Sequence, residues 1–119
     1  MKLDLTGLHI DITEGIQNYT EERIKKLENF FDDNTICHVT FSSNKGIHHV
    51  DVRIEYKGRT YLAVEESDDL YQGIEKTTHK IEGQARKVKT ALEKKRRAGI
   101  SDNVLDNMSI EQALEGEEE

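Results

Sequence analysis

At 119 residues, with 34% apolar side chains and a formal net charge of −7, the chain has the size of one domain with a modest core. No run approaches the ~20 apolar residues of a membrane span, and no basic-then-apolar leader opens the sequence. A single cysteine, Cys37, rules out an intramolecular disulfide, so the expectation is a soluble protein of a reducing compartment.

Leu3 and Leu5 alternate with Lys2 and Asp4, which predicts a short strand stopping near Gly7. Thr13 is placed to cap a helix, with Glu14 favoured in its first turn by the helix dipole. Ile16, Tyr19, Thr20, Arg23, Ile24, Leu27, Phe30 and Phe31 recur at three- and four-residue intervals, which predicts an amphipathic helix reaching Asp32 or Asp33. Asp33-Asn34 is turn chemistry. From Thr35 to Ser43, Cys37, Val39 and Phe41 alternate with Ile36, His38, Thr40 and Ser42, and Asn44-Lys45-Gly46 ends the run. From His49 to Lys57, Val50, Val52, Ile54 and Tyr56 alternate with His49, Asp51, Arg53, Glu55 and Lys57, the pattern of a sheet covered on one side. Lys57-Gly58-Arg59 supplies a hairpin turn, and Thr60 to Glu66 is the returning strand.

Ser67 or Asp68 is expected to cap a second helix, striped by Leu70, Ile74, Thr77, Thr78, Ile81, Ala85, Val88 and Leu92 for more than five turns. The predicted architecture is α+β over residues 1–97, in the order β-α-β-β-β-α, with a four-stranded sheet and two helices packed on one face. Residues 98–119 read as an acidic, disordered tail, in which Ser109-Ile110-Glu111-Gln112 matches a capping box suited to a transient helical turn.

Charge is distributed in blocks. Lys76 to Arg97 holds nine Lys/Arg against two Glu, whereas residues 1–75 hold 8 basic and 15 acidic side chains and residues 101–119 hold seven acidic and no basic ones. Helical spacing puts Lys76, Lys80, Lys87 and Lys94 on the face away from the apolar stripe, with His79, Arg86 and Arg97 flanking. At 1.5 Å per residue such a helix spans roughly 40 Å, the reach of several phosphates along a nucleic-acid backbone. A merely solvated face ordinarily mixes signs, and here only Glu82 and Glu93 offset nine cations. A nucleic-acid partner follows from that distribution even though the net charge alone argues against one.

The wet sheet face, with Thr40, His49, Arg53, Lys57 and Arg59 beside Asp51 and Glu55, and Lys45 in a loop, fits an ordinary mixed surface as well as a contact surface. Few exposed aromatics speak against base stacking and for contact with structured RNA through shape and phosphate. His9, His38, His48, His49 and His79 show no zinc spacing, and one cysteine is too few for a thiolate site, so no metal or cofactor is expected. Cys37 has no evident paired base, Asp68-Asp69 most simply caps a helix, and no phosphate-cradling glycine motif or nucleophile elbow is present, so no catalysis is expected. The acidic tail is either a solubilising segment or a competitor of RNA for the basic helix.

Several local patterns carry a resemblance. Gly7 precedes a helix opened by Asp11-Ile12-Thr13; Arg23-Ile24-Lys25-Lys26-Leu27-Glu28 lies within it; Gly58 is followed by Leu62-Ala63; Asp69-Leu70-Tyr71 precedes Ile74; and Lys80-Ile81-Glu82 precedes Gln84 and Lys87. In this order they resemble, over about residues 1–97, the bacterial ribosome hibernation factors, the family of protein Y (the ribosome-associated inhibitor) and the short hibernation-promoting factor. The resemblance implies a fold like a double-stranded-RNA-binding domain. It implies binding of a monomer in the decoding channel of the small ribosomal subunit of the 70S ribosome, over the sites of messenger RNA and the A- and P-site tRNAs. Translation would then be inhibited by occupancy, under stress or in stationary phase, in the cytoplasm, with no membrane, small-molecule substrate, cofactor or metal involved. It implies rRNA contacts at Arg23 and Lys26 in the first helix and at Lys80, Gln84 and Lys87 in the second; charge alone adds Lys76, Arg86, Lys94, Lys95, Arg96 and Arg97.

There are departures from the family pattern. Gly83 stands where a basic side chain is expected and weakens the helix by about 1 kcal/mol. Glu75 replaces Asp or Asn, and Ala85 a larger apolar residue. The chain ends before the further dimerisation domain of the long factors, and its acidic tail resembles protein Y, which leans toward holding single ribosomes idle. The rival readings are a small adaptor whose basic helix docks on an acidic protein, and a structured-RNA binder acting off the ribosome.

Overall fold

The structure is a computed structural model and describes residues 1–116. Alternating side chains lay down four strands, β1 (Lys2–Leu8), β2 (Ile36–Asn44), β3 (Ile47–Tyr56) and β4 (Arg59–Ser67), that pair in the order β1-β2-β3-β4. β1 runs parallel to β2, opposing Leu3 to Cys37, while β2–β3 and β3–β4 are antiparallel hairpins with Val39 opposite Val52 and Ile54 opposite Tyr61. Both hairpins close through two residues with positive φ, Lys45 (52°) and Gly46 (81°), then Lys57 (51°) and Gly58 (74°). Such turns match the right-handed twist of the flanking strands and fix the register.

That register puts Cys37, Val39, Phe41, Val50, Val52, Ile54, Tyr61 and Ala63 on one face, all buried. Two helices close it: α1 (Glu14–Lys25), through Ile16 and Ile24, and α2 (Leu70–Arg97), through Ile74, Ile81, Ala85 and Val88. The expected α+β order, the four-stranded sheet and the two helices on one face are all present. The opposite sheet face is open, with His38 against Asp4 (3.1 Å) and His49 against Glu66 (3.4 Å).

α1 begins as expected, with the Ile16 N–H donating to the Thr13 hydroxyl at 3.2 Å. It stops at Lys25, short of Asp32. The Lys26 and Leu27 N–H groups bond three residues back, to Arg23 O (3.2 Å) and Ile24 O (2.9 Å), and the chain tightens into a 3-10 turn at Glu28–Phe30. The tighter pitch lets Leu27 and Phe31 both turn inward, Phe31 edge-on to Tyr56 and Tyr61 at 5.4 and 5.2 Å. α2 is capped by Asp69, not by Ser67 or Asp68: the Asp69 carboxylate accepts the Tyr71 N–H at 3.0 Å, while the Ser67 hydroxyl accepts the Asp69 N–H at 3.1 Å. Gly73 lies so close to β3 that a Cβ there would sit 2.8 Å from Val50 Cγ2.

The largest departure concerns residues 98–116, expected as a disordered tail. After α2 the Gly99 N–H bonds to Arg96 O (3.0 Å) and the Ile100 N–H to Lys95 O (3.1 Å), with Gly99 left-handed at φ 99°. This helix-ending motif reverses the chain. Two short helices follow, α3 (Asp102–Leu105) and α4 (Ile110–Leu114), both packed against α2. The capping box at Ser109 forms with Gln112 in both directions, at 3.1 and 3.0 Å. Leu105 and Ala113 are 1% and 0% exposed, so the segment is ordered by tertiary burial, although too polar to order itself. Of the acidic run from Glu115 to Glu119, residues 117–119 lie outside the described residues.

Candidate nucleic-acid interface

The sequence puts its cations on a helix whose inner face is already spoken for, so burial of the apolar stripe decides which way they point. α2 has 28 residues, about 42 Å of continuous helix. With Ile74, Thr77, Thr78, Ile81, Ala85, Val88 and Ala91 turned to the core, Lys76, His79, Lys80, Gly83, Arg86, Lys87, Lys94 and Arg97 are exposed. Thr77 and Thr78 enter that apolar face because their hydroxyls donate to carbonyls in the preceding turn, at 2.9 Å to Gly73 and 2.8 Å to Ile74.

The eleven residues expected to contact RNA separate into groups with different freedom. Lys26, Lys87 and Arg97 are exposed, and their side chains make no hydrogen bond or ion pair among the described residues. Lys76 and Lys80 flank Glu65 of β4; Lys80 pairs with it directly, and that hydrogen bond holds the Glu65 carboxyl below its ordinary value of 4.5. Arg86 pairs with Glu82 one turn back at 3.1 Å. Four others are held more closely by their own fold. Arg23 is half-buried and its Nε donates to the Thr78 hydroxyl at 3.3 Å, tying α1 to α2. Gln84, also half-buried, donates from Nε2 to Leu62 O at 3.0 Å. Arg96 Nε donates to Asp102 at 2.7 Å, which raises the guanidinium pKa, and Lys95 Nζ donates to Glu115 O at 3.1 Å.

Arg59 was placed on the wet face and belongs elsewhere. It is only 4% exposed, and its Nη1 donates to the carbonyls of Leu105 (3.2 Å) and Met108 (3.1 Å). The signal was present in the sequence: counted from Tyr61 and Ala63, position 59 falls on the inward phase of β4. Lys57, beside it in the turn, pairs with Asp106 at 3.3 Å. Burial lowers its pKa, but the hydrogen bonds and charges of Asp106 and Tyr56 together outweigh that and the net shift is upward. Cys37 is fully buried, and desolvation pushes its thiol to about pKa 12, so it stays neutral. Among the described residues no group of three His, Cys, Asp or Glu side chains is placed to hold a metal ion, and no helix is long and apolar enough to cross a membrane.

A mixed four-stranded sheet with one face closed by two helices, the second long and cationic, defines a two-layer α+β domain of a recognisable class. A ribosomal subunit interface protein from Coxiella burnetii has the same fold at TM-score 0.68 and 29% identity, over 76% of this chain and 99% of that one. The N-terminal domain of Thermus thermophilus Protein Y matches in fold at TM-score 0.66 and 24% identity, over 71% of this chain and 96% of that domain. Residues 3–93 match the family described as sigma 54 modulation protein / S30EA ribosomal protein, and the chain belongs to that family. A ribosome hibernation promotion factor of Staphylococcus aureus (strain COL) is 39% identical over 102 residues, 82% of this chain and 53% of the relative. The chain therefore spans about half the length of that curated relative. The resemblance read from the residues, and the fold it implied, are both borne out.

Proposed function

We propose that this protein is a ribosome hibernation factor of the cytoplasm that binds the decoding channel of the small subunit and keeps messenger RNA and tRNA out by occupancy. The observation that carries this is the exposed cationic face of α2, with Lys76, Lys80, Lys87 and Arg97 spread along about 32 Å in a chain that is otherwise acidic. A straight, rigid row of cations suits an array of phosphates at fixed spacing. The open face offers little aromatic surface for stacking bases, so recognition rests on shape and phosphate. Family membership and the names of its relatives support the ribosome as the partner. Contact through Lys26, Lys76, Lys80, Lys87 and Arg97 needs no chemistry, and the protein acts as a monomer, one per ribosome.

Three measurements test this together. Sedimentation of cell extract should place the protein with ribosomes and lose it on a salt wash; migration with soluble protein or with non-ribosomal RNA would support one of the rival readings instead. If about five phosphates are neutralised, affinity should fall by two or more decades between about 50 and 200 mM monovalent salt. Titration into cell-free translation should reach full inhibition near one protein per ribosome. Full inhibition at a small fraction of the ribosome concentration would mean turnover and overturn inhibition by occupancy.

A further inference from the structure

Two of the cations nearest the end of α2 are turned toward the protein. Arg96 is bonded to Asp102 and Lys95 to Glu115 O, while Arg97 between them and the next turn stays exposed. The segment supplying those partners is anchored at depth: Leu105 and Ala113 are buried, Met108, Ile110 and Leu114 pack on the core, and buried Arg59 holds two of its carbonyls. α3 and α4 thus back the half of α2 that runs on beyond the sheet contacts of Ala85 and Val88.

We propose that residues 101–116 are a positioning brace for the basic end of α2, with Arg59 as its anchor and Lys95 and Arg96 as struts that do not themselves contact phosphate. This rests on α2 being the ribosome-contact helix. The physical need is plain. The last turn of α2 is four consecutive cations, Lys94 to Arg97, which repel one another, and the chain reversal at Gly99 satisfies the carbonyls of that turn without balancing its charge. Without support that turn frays, and Arg97 loses its fixed place in the row. The brace stands against the alternative of an acidic mask, because a mask would lie over Lys76, Lys80 and Lys87, and residues 101–116 leave all three exposed.

Asp102→Asn separates brace from mask in the full chain. It removes a negative charge beside a phosphate-binding helix, so a mask predicts tighter ribosome binding. The brace predicts binding weaker by about threefold, the scale of one exposed ion pair, with Asp102→Glu restoring it. Leu105→Asp, which expels the buried side chain of the brace, should weaken binding tenfold or more. In both variants amide hydrogen exchange should quicken at Glu93–Ala98 and stay unchanged in β2 and β3. Lys87→Ala should instead lower the slope of log affinity against log salt by about 1 and leave exchange alone, while Arg96→Ala should quicken exchange with no loss of slope. Tighter binding by Asp102→Asn, or unchanged exchange at Glu93–Ala98 in both brace variants, overturns the brace. If the wild-type chain fails to bind ribosomes, the functional reading falls, and the exchange result alone still decides whether residues 101–116 hold the helix end.

Discussion

The same substitution at two glycines of α2 should move stability in opposite directions. Gly83 lies on the exposed face, and a Cβ built there meets nothing within 4 Å. Ala in place of Gly in an open helix interior removes backbone freedom from the unfolded chain, which is worth about 1 kcal/mol. Gly73 gains the same amount from propensity and loses more. Its Cβ would sit 2.8 Å from Val50 Cγ2 and 3.7 Å from Val50 Cβ, and Val50 is fully buried at mid-strand. A β-branched side chain has no spare rotamer to retreat into, and overpacking of this kind costs roughly 1–3 kcal/mol. Gly73→Ala should therefore be destabilised by about 1 kcal/mol net, and the two variants should differ by about 2 kcal/mol. Urea unfolding is the assay. With a slope near 2 kcal/mol per molar, the midpoint should rise by about 0.5 M for Gly83→Ala and fall by about 0.5 M for Gly73→Ala at constant slope. The sites are ten residues apart along the helix, about 15 Å, so the double variant should return to the wild-type value. A Gly73→Ala protein more stable than wild type would refute the close contact between α2 and β3.

The face of α2 gives further tests. Lys80→Glu with Lys87→Glu should abolish ribosome binding in a folded protein; Lys80→Glu faces Glu65, so a small stability loss is expected on unfolding, and binding retained by the folded double variant would remove α2 as the contact face. Gly83→Arg should raise the unfolding midpoint and steepen the salt dependence of ribosome binding by about one unit of slope, read by titration at several salt concentrations. Cys37, buried and with its thiol pushed to about 12, should resist thiol reagents at pH 8 at any rate faster than unfolding, and a burst of labelling in native buffer would contradict its burial. The Glu65 carboxyl, lowered by Lys80, should stay ionised below 4.5, so the contribution of the pair is present above the unfolded value and lost as pH falls through the folded one; Lys80→Ala should move the carboxyl resonance midpoint upward.

The sheet was legible because a period of two is local: Cys37, Val39 and Phe41 declare their face without reference to anything distant. The stripe of α2 was legible for the same reason at a different period. The end of α1 was not, because three-residue hydrogen bonds at Lys26 and Leu27 serve the packing of Phe31 between two tyrosines brought from the β3–β4 hairpin. The order of residues 98–116 was hidden for a similar cause. Leu105, Met108, Ile110 and Ala113 have no sustained period, and what orders them is Arg59, nearly fifty residues earlier. Among the candidate contacts, spacing identified which cations lie off the apolar stripe. It gave no sign that Arg23, Gln84, Lys95 and Arg96 would find partners within the fold, since those partners are set by strand register and by the chain reversal at Gly99. The Arg59 error was avoidable, because its strand phase was visible.

The bond from Gln84 to Leu62 O bears on how such a molecule survives at high concentration. β4 is one of the two outer strands of its sheet, and its free rim would offer backbone donors and acceptors to a second copy, beside Leu62 and Val64 at 47% and 49% exposure. Gln84 occupies one of those acceptors, and the Lys80–Glu65 pair sets charges three residues further along the same strand. A rim so furnished is a poor template for strand addition. Gln84→Ala, harmless to the core, would leave a chain that folds as before and is more prone to join its neighbours through β4.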